Sequence, residues 1–488
     1  MSPLLKERGW GEVKIKNIMG NPKAFINIPR KDAGYRPINE RIYDFGEVEQ
    51  TLNREDRKLQ ASRCMDCGIP FCHWGCPLGN KMPEWQDLIY KGQWKEAVDN
   101  LHETNNFPDF TGRICPAPCE KSCVLALHDA PVTIRENEAA VTEVAFIEGM
   151  IKARPPKTRT GKKVAVIGSG PAGLAAAQQL NRKGHHVTIF EKDNGFGGLL
   201  RYGIPNFKLN KNIIDRRLAQ LEEEGIEFKP NTEVGKDVSG KEIMKNFDAV
   251  CLAVGAGHPR DIQPEGRDLK GIYFAMDFLS QQNQLIMGET VAEKDIISAK
   301  DKHILVIGGG DTGSDCVGTS IRQGAVRVTQ IEILPQPPVG KNPETPWPFY
   351  PTIMKTSSSH QEGCVRKWAL NTKQFVGVNG QLTEVLVEEV EWLKDESGRM
   401  SMKPTGKTDT IKADLVFLAL GFIHPVHEGL LTELGVTFDG RGNVAIDTEN
   451  KSNVAKVYAA GDAAMGASLV VRAIASGRKV AEDIHKSL

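Results

Sequence analysis

A chain of 488 residues, 40% hydrophobic and 25% charged, has material for several globular cores, and its length alone points to about three domains. Its 62 Lys and Arg balance 62 Asp and Glu, so net charge gives no reason to expect nucleic acid or an anionic membrane as a partner. Glycine is the skewed residue at 48 of 488, above the usual share of about 7%. Part of the excess sits beside apolar strands, where dinucleotide sites need tight turns.

The opening residues, Met1-Ser2-Pro3-Leu4-Leu5-Lys6-Glu7-Arg8, mix charges early and lack the apolar core of a signal peptide. No run reaches the ~18 apolar residues of a membrane span. The expectation is a cytoplasmic protein, in whose reducing compartment clustered cysteines serve as metal or redox ligands rather than disulfides. Seven of the ten cysteines lie between positions 64 and 123, which marks residues 1–150 as a separate cofactor domain. Residues 83–101 and 134–151 carry apolar residues at three- and four-residue spacing and predict helices. The basic, proline-bearing residues 152–157 predict an exposed linker.

The first cysteine run, Cys64, Cys67, Cys72 and Cys76 followed by Pro77, has the spacing C-x2-C-x4-C-x3-C-P. It resembles the bacterial ferredoxin run with two residues added, in which the cysteine before proline ligates the other of two clusters. By that logic Cys64, Cys67 and Cys72 hold one cubane, while Cys76 joins the second run, Cys115, Cys119 and Cys123. Two cubanes need eight ligands and seven cysteines are offered. Carboxylate oxygen binds iron, so Glu138 on the following helix is the candidate for the eighth, with His73 and Glu120 as alternatives. The competing reading is a pair of zinc sites, but zinc sites pair two C-x2-4-C halves and leave the C-x3-C-P tail unexplained.

Residues 163–168 form a short apolar strand ending in Gly168-Ser169-Gly170-Pro171-Ala172-Gly173 and a helix. In this G-x-G-x-x-G pattern Gly168 allows the turn, Gly170 lets the backbone approach a pyrophosphate, and Gly173 lets helix and strand pack. Glu191, at the end of the next strand, is placed to accept ribose hydroxyls. Gly197-Gly198-Leu199 then supplies a segment fit to lie against a flat ring, with Tyr202-Gly203-Ile204-Pro205 beyond it. Near the C-terminus a strand ends in Gly461-Asp462. This combination resembles the FAD domain of two-dinucleotide-domain flavoproteins, which implies that Asp462 binds the ribityl–phosphate part of FAD.

About 140 residues after Gly168 the fingerprint returns as Gly308-Gly309-Gly310-Asp311-Thr312-Gly313, again between strand and helix, and here it predicts the NAD(P)H site. Glu332 ends the following strand and aligns with Glu191. An acid there suits the free 2′-hydroxyl of NADH and repels the 2′-phosphate of NADPH, unless Arg322, Arg327 or Lys341 pairs with that phosphate. Cys251 and Cys316 sit in apolar surroundings and read as small core residues. The predicted fold is α/β: a helical iron–sulfur domain (1–150), then two doubly wound dinucleotide-binding domains. The second (296–414) is inserted in the first (162–295 and 415–488). With no obvious side-chain acid, base or nucleophile, the chemistry falls to the cofactors.

Together these residues, with Gly112-Arg113-Ile114-Cys115-Pro116-Ala117-Pro118-Cys119, resemble the small (beta) subunits of glutamate synthases over nearly the whole chain. The resemblance implies two [4Fe–4S] clusters, FAD and NADH or NADPH. It implies that Cys123 returns to the first cluster with Cys64, Cys67 and Cys72, while Cys76, Cys115 and Cys119 hold the second with a non-cysteine ligand at Glu138. It further implies that electrons from NAD(P)H pass to a large (alpha) subunit that makes glutamate from glutamine and 2-oxoglutarate. Residues 334–348, rich in proline and ending in Trp347-Pro348, resemble glutamate synthases more than their stand-alone relatives. They replace an arginine-containing stretch of many NADPH-using relatives, which again favours NADH. A ferredoxin-linked or electron-bifurcating subunit with the same cofactors, and a non-catalytic assembly module, are the rival readings.

Overall fold

The computed structural model describes residues 21–395 and 398–488, so the reading of residues 1–8 lies outside the described residues. The cysteine-bearing part is helical, with helices at Arg54–Ala61, Phe71–Gly75, Met82–Tyr90, Trp94–Thr104, Pro108–Ile114, Pro118–Lys121 and Ile134–Ile147. Asn53 starts the first of these by accepting a hydrogen bond from Asp56 N on its side chain. The expected helix over 83–101 is two helices, because Gly92 adopts φ +74 between them. Trp85, Ile89, Val98, Leu101, Ile134 and Val141 form one buried core with the cysteines at its edge. Gly112 decides how closely Pro108–Ile114 crosses Ile134–Ile147: a Cβ there would lie 2.6 Å from Ala139 N.

The strands of the remaining chain are β1 (Lys163–Ile167), β2 (His186–Phe190), β3 (Glu227–Lys229), β4 (Ala249–Leu252), β5 (His258–Pro259), β6 (Ile272–Phe274) and β7 (His303–Ile307). They continue with β8 (Arg327–Glu332), β9 (Val365–Trp368), β10 (Leu370–Val378), β11 (Gln381–Lys394), β12 (Met400–Lys412), β13 (Leu415–Leu418), β14 (Phe422–His424) and β15 (Val457–Ala459). One parallel sheet has the order β15-β4-β1-β2-β3 and a second the order β6-β13-β7-β8-β9. The order of the first reverses between β1 and β4, the position at which doubly wound sheets open a crevice for a ligand.

Two boundaries differ from the sequence reading. β6 and β13, expected in the first nucleotide unit, belong to the second sheet, where β13 pairs with both β6 and β7, Val416 lying opposite Ile272 and Leu305. A four-residue apolar strand carries no mark of which sheet it joins, so the sequence cannot resolve this. The units part at the antiparallel pair β5–β14, beside which Arg260 N donates to Gly421 O. The second unit also carries an antiparallel sheet, β10-β11-β12, beyond the doubly wound plan. Its first hairpin turns at Asn379-Gly380, both at positive φ, as a two-residue hairpin requires.

The three parts share buried contacts. Phe107 and Phe110 of the helical unit lie in the core of the first nucleotide unit, and Asp109 pairs with Arg217 at 2.9 Å with both side chains fully buried. Arg41 and Arg322 both bind Glu362, at 2.7 and 2.5 Å, which pins the second nucleotide unit to the N-terminal segment. Cys251 and Cys316 are buried in the cores of the first and second nucleotide units, respectively.

Candidate functional site

The seven clustered cysteines fall into two groups. Cys64, Cys67, Cys72 and Cys123 line one cavity, walled by Met82, Pro83, Leu125, Val132 and Ile134. Within this group Cys123 is the neighbour that Cys64, Cys67 and Cys72 share. Cys76, Cys115 and Cys119 interact instead with one another and with Glu138. Burial pushes Cys64 and Cys115 up to about 12 and Cys76 up to about 11. Such thiols are not of the reactive kind, and a bound cation would be needed to ionise them. A single zinc would gather its thiolates on bonds of about 2.3 Å. Among the described residues no three His, Cys, Asp or Glu are placed to hold one metal ion, while the first four cysteines surround a space.

The three candidates for the eighth ligand are separated by their partners. Glu138 is buried and accepts hydrogen bonds from Thr111 Oγ1 (2.5 Å) and Asn105 Nδ2 (2.7 Å), both on Oε1. Burial pushes its carboxyl up to about 7. Glu120 has both oxygens engaged, by Arg30 Nη1 at 2.8 Å and Arg135 N at 2.9 Å. His73 sits on Phe71–Gly75 with Nε2 3.7 Å from Glu84.

The turn after β1 is built as the fingerprint demands. Gly168 stands at φ +101, where a Cβ would lie 2.4 Å from Ala253 O, and a Cβ on Gly173 would lie 2.0 Å from Gly168 O. Gly170 is different: a Cβ there meets nothing within 4 Å, so its lack of a side chain leaves room for a ligand rather than for packing. The helix Pro171–Arg182 directs its free N–H groups toward that room. Glu191 Oε2 accepts from Ser169 N (3.0 Å) and Ser169 Oγ (2.5 Å), and Ser169 Oγ in turn accepts from Gly197 N (2.9 Å). That bond draws the 197–199 segment over the turn, with a Cβ on Gly198 falling 3.1 Å from Gly170 Cα. Leu199 is left 44% exposed, a partly uncovered apolar side chain. Gly461 abuts Ala172 at the head of the same helix, and Asp462 follows with Oδ1 accepting from Ser468 Oγ at 2.7 Å. Burial pushes the Asp462 carboxyl up.

The turn after β7 repeats this wiring. Gly308 stands at φ +124, a Cβ there would lie 2.2 Å from Ala419 O, and a Cβ on Gly310 meets nothing within 4 Å. Gly309 N donates to Glu332 Oε2 at 2.6 Å, and Leu334 N to Glu332 Oε1 at 3.3 Å. Asp311 and Thr312 open the helix Asp311–Arg322, and a Cβ on Gly313 would lie 2.3 Å from Gly308 O. Of the three basic residues weighed for a 2′-phosphate, Arg322 is consumed by Glu362, Gly318 O and Asp44 O. Arg327 begins β8 and Glu332 ends it, so they stand at opposite ends of the strand. Lys341 lies exposed in the loop beyond.

Two further residues escape a reading of sequence. Lys211 is buried and donates from Nζ to Leu200 O (3.0 Å) and Ile204 O (2.5 Å). Asn283, from the second unit, donates to Tyr202 O (2.9 Å) and Ile204 O (3.1 Å). Both fasten the segment that follows Gly198. A lysine beside a helix start is ordinarily a solvated residue, and nothing local marks this one as internal.

Two family models cover most of the chain. Residues 41–150 match the family model described as dihydropyrimidine dehydrogenase domain II, 4Fe-4S cluster. Residues 162–346 and 358–477 match the pyridine nucleotide-disulphide oxidoreductase model. The glutamate synthase [NADPH] small chain of Mycobacterium tuberculosis is 49% identical over 96% of both chains. The chain belongs to the glutamate synthase small chain family. Members of this family are electron-input subunits, and the chain is an NAD(P)H-dependent oxidoreductase with an iron–sulfur domain ahead of its dinucleotide-binding domains. The glutamate synthase [NADH] of Schizosaccharomyces pombe is 45% identical over 95% of this chain, which corresponds to 22% of that longer protein. Among solved structures, FprA of Mycobacterium tuberculosis in complex with NADPH overlays with a TM-score of 0.54 at 19% identity. It covers 67% of this chain and 84% of its own, a likeness that concerns the fold alone. Among the described residues no helix is long and apolar enough to cross a membrane.

Proposed function

We propose that this chain is the cytoplasmic electron-input subunit of a glutamate synthase, binding FAD at the β1 turn, NADH at the β7 turn and two [4Fe–4S] clusters in the helical unit. What supports the reading is that Cys64, Cys67, Cys72 and Cys123 line one cavity, while Cys76, Cys115, Cys119 and Glu138 are neighbours of one another. Cys64, Cys67, Cys72 and Cys123 would hold the first cluster. Cys76, Cys115, Cys119 and Glu138 would hold the second, with Glu138 Oε2 the oxygen left to iron once Oε1 has taken Thr111 and Asn105. The second group adjoins the helix Pro108–Ile114, which runs from the Phe107 and Phe110 contacts in the first nucleotide unit to Cys115.

When bound, FAD takes two electrons together from reduced nicotinamide and releases them singly, the change of count that iron–sulfur clusters need. The chain's own residues bind and orient. Gly170 and the following helix would receive the FAD pyrophosphate, Glu191 the ribose hydroxyls, Asp462 the ribityl–phosphate part, and Gly198 and Leu199 the ring. Gly308, Gly310, Asp311, Thr312 and Gly313 would receive the nicotinamide nucleotide, with Glu332 on its ribose. With Arg322 engaged elsewhere and Arg327 at the far end of β8, Glu332 faces a 2′-phosphate with little compensation, which favours NADH. The domain reading becomes a helical unit to residue 150, an FAD unit on either side of the β5–β14 pair, and an NADH unit between those strands.

The partner is a large subunit that makes glutamate from glutamine and 2-oxoglutarate. The test is to tag the chain in its native host, purify it anaerobically and identify what accompanies it. A stoichiometric large amidotransferase flavoprotein, with about eight iron atoms per small chain for two cubanes, is the expected result. A ferredoxin-linked partner, or iron for one cluster only, would overturn the assignment.

A further inference from the structure

The segment joining β8 to β9 leaves the nucleotide unit and lands on the helical unit. Residues 347–357 fall between the two stretches that match the pyridine nucleotide-disulphide oxidoreductase model. The segment's contacts converge on the first group of cysteines. Trp347 Nε1 donates to the backbone carbonyl of Cys123 at 3.2 Å. The Trp347 ring packs on Phe71, centroids 4.7 Å apart, and Phe71 and Cys123 both line the cavity that the four cysteines surround. Ser122 Oγ donates to Pro348 O at 2.8 Å, tying the residue before Cys123 to the same segment. Phe349 packs on Trp74, ring centroids 5.6 Å apart, and neither of these two residues lines the cavity.

We propose that Trp347 is a positioning residue for the first iron–sulfur cluster, contributed by the nucleotide unit. It fixes the Cys123 backbone through its N–H and closes the outer wall of the cavity by backing Phe71. Both actions bear on quantities the protein controls at such a centre: ligand placement, hydrogen bonding near the sulfurs and access of water. The role rests on the assignment of Cys64, Cys67, Cys72 and Cys123 to one cluster.

The experiment uses the full chain purified anaerobically with its cofactors, with the first cluster's EPR signal assigned by its loss in Cys64→Ser. Reduction potential and the rate of iron release to a chelator are then measured for Trp347→Ala, Trp347→Phe and Phe349→Ala, with bound flavin and thermal melting as controls for folding. Trp347→Ala is expected to release first-cluster iron roughly tenfold faster, the scale of losing an outer-shell partner. It should also raise that cluster's potential as water gains access. Trp347→Phe should move both in the same direction by less, and Phe349→Ala should leave them unchanged. An unaltered potential and release rate in a folded Trp347→Ala, or an equal effect from Phe349→Ala, would overturn the role while leaving the ligand assignment intact. If Cys64→Ser loses no iron, the ligand assignment falls and this role with it.

Discussion

The β1 turn and the β7 turn carry the same backbone wiring at different depths. In both, the first glycine donates to the residue before the acid, Gly168 to Phe190 O and Gly308 to Ile331 O, and the next residue donates to the acid itself. At β1 that next residue is Ser169, fully buried, and its hydroxyl joins Glu191 to Gly197 N. At β7 it is Gly309, which is exposed, as are Gly310 and Asp311, and no hydroxyl reaches across. One hydroxyl thus draws a covering segment over the first turn and leaves the second open. Enclosure suits a cofactor that stays through many turnovers, and exposure suits one that must leave after each.

The largest effect should come from forcing a side chain into each turn. Gly173→Ala brings Cβ 2.0 Å from Gly168 O, and Gly313→Ala brings it 2.3 Å from Gly308 O. The first should cost most of the bound flavin, read by its visible absorbance. The second should keep the flavin and raise the KM for nicotinamide nucleotide by an order of magnitude or more. Flavin lost equally from both variants would break the distinction between a resident and an exchanging site. Glu332→Ala should have a smaller effect, narrowing the preference for NADH over NADPH in kcat/KM. An unaltered ratio would remove Glu332 from nucleotide selection.

The smallest expected effect concerns Lys211, which belongs to the enclosed site. Burial lowers its ammonium to about 7, so between pH 7 and its ordinary value of 10.5 the unfolded chain binds a proton that the folded chain does not. Stability attributable to this group therefore rises with pH across that window. The melting temperature of the wild type relative to Lys211→Met should increase by a few degrees between about pH 6.5 and pH 9.5, in the range expected for a domain of this size. A difference that is flat with pH would mean that Lys211 keeps its proton.

What was legible in the sequence was whatever local spacing controls. The glycine turns, the acids that answer them and the two cysteine runs are each set by neighbours within about thirty residues, where spacing and backbone requirement coincide. The membership of β6 and β13 was not legible, because an apolar run such as Leu415–Leu418 satisfies either sheet and only tertiary pairing chooses. The β10–β11 hairpin was announced by Asn379-Gly380 between alternating strands, and the doubly wound expectation obscured it. Lys211 and Trp347 were illegible for another reason. Their partners, Leu200 O, Ile204 O and Cys123 O, are backbone carbonyls, which no side-chain pattern advertises.

The ribbon formed by β5 and β14 has a consequence for how such a chain is put together. The inserted unit enters and leaves its host through strands that lie side by side, with Arg260 and Gly421 already joined across the gap. A short turn at that point would close the host without re-routing any strand of its own sheet. The nucleotide unit is therefore a detachable module in topology, open to replacement by another of different specificity. What resists exchange are side chains that cross the seam, among them Glu362 on Arg41, Asn283 on the carbonyls of Tyr202 and Ile204, and Trp347 on that of Cys123. A transplanted module would have to bring these residues with it.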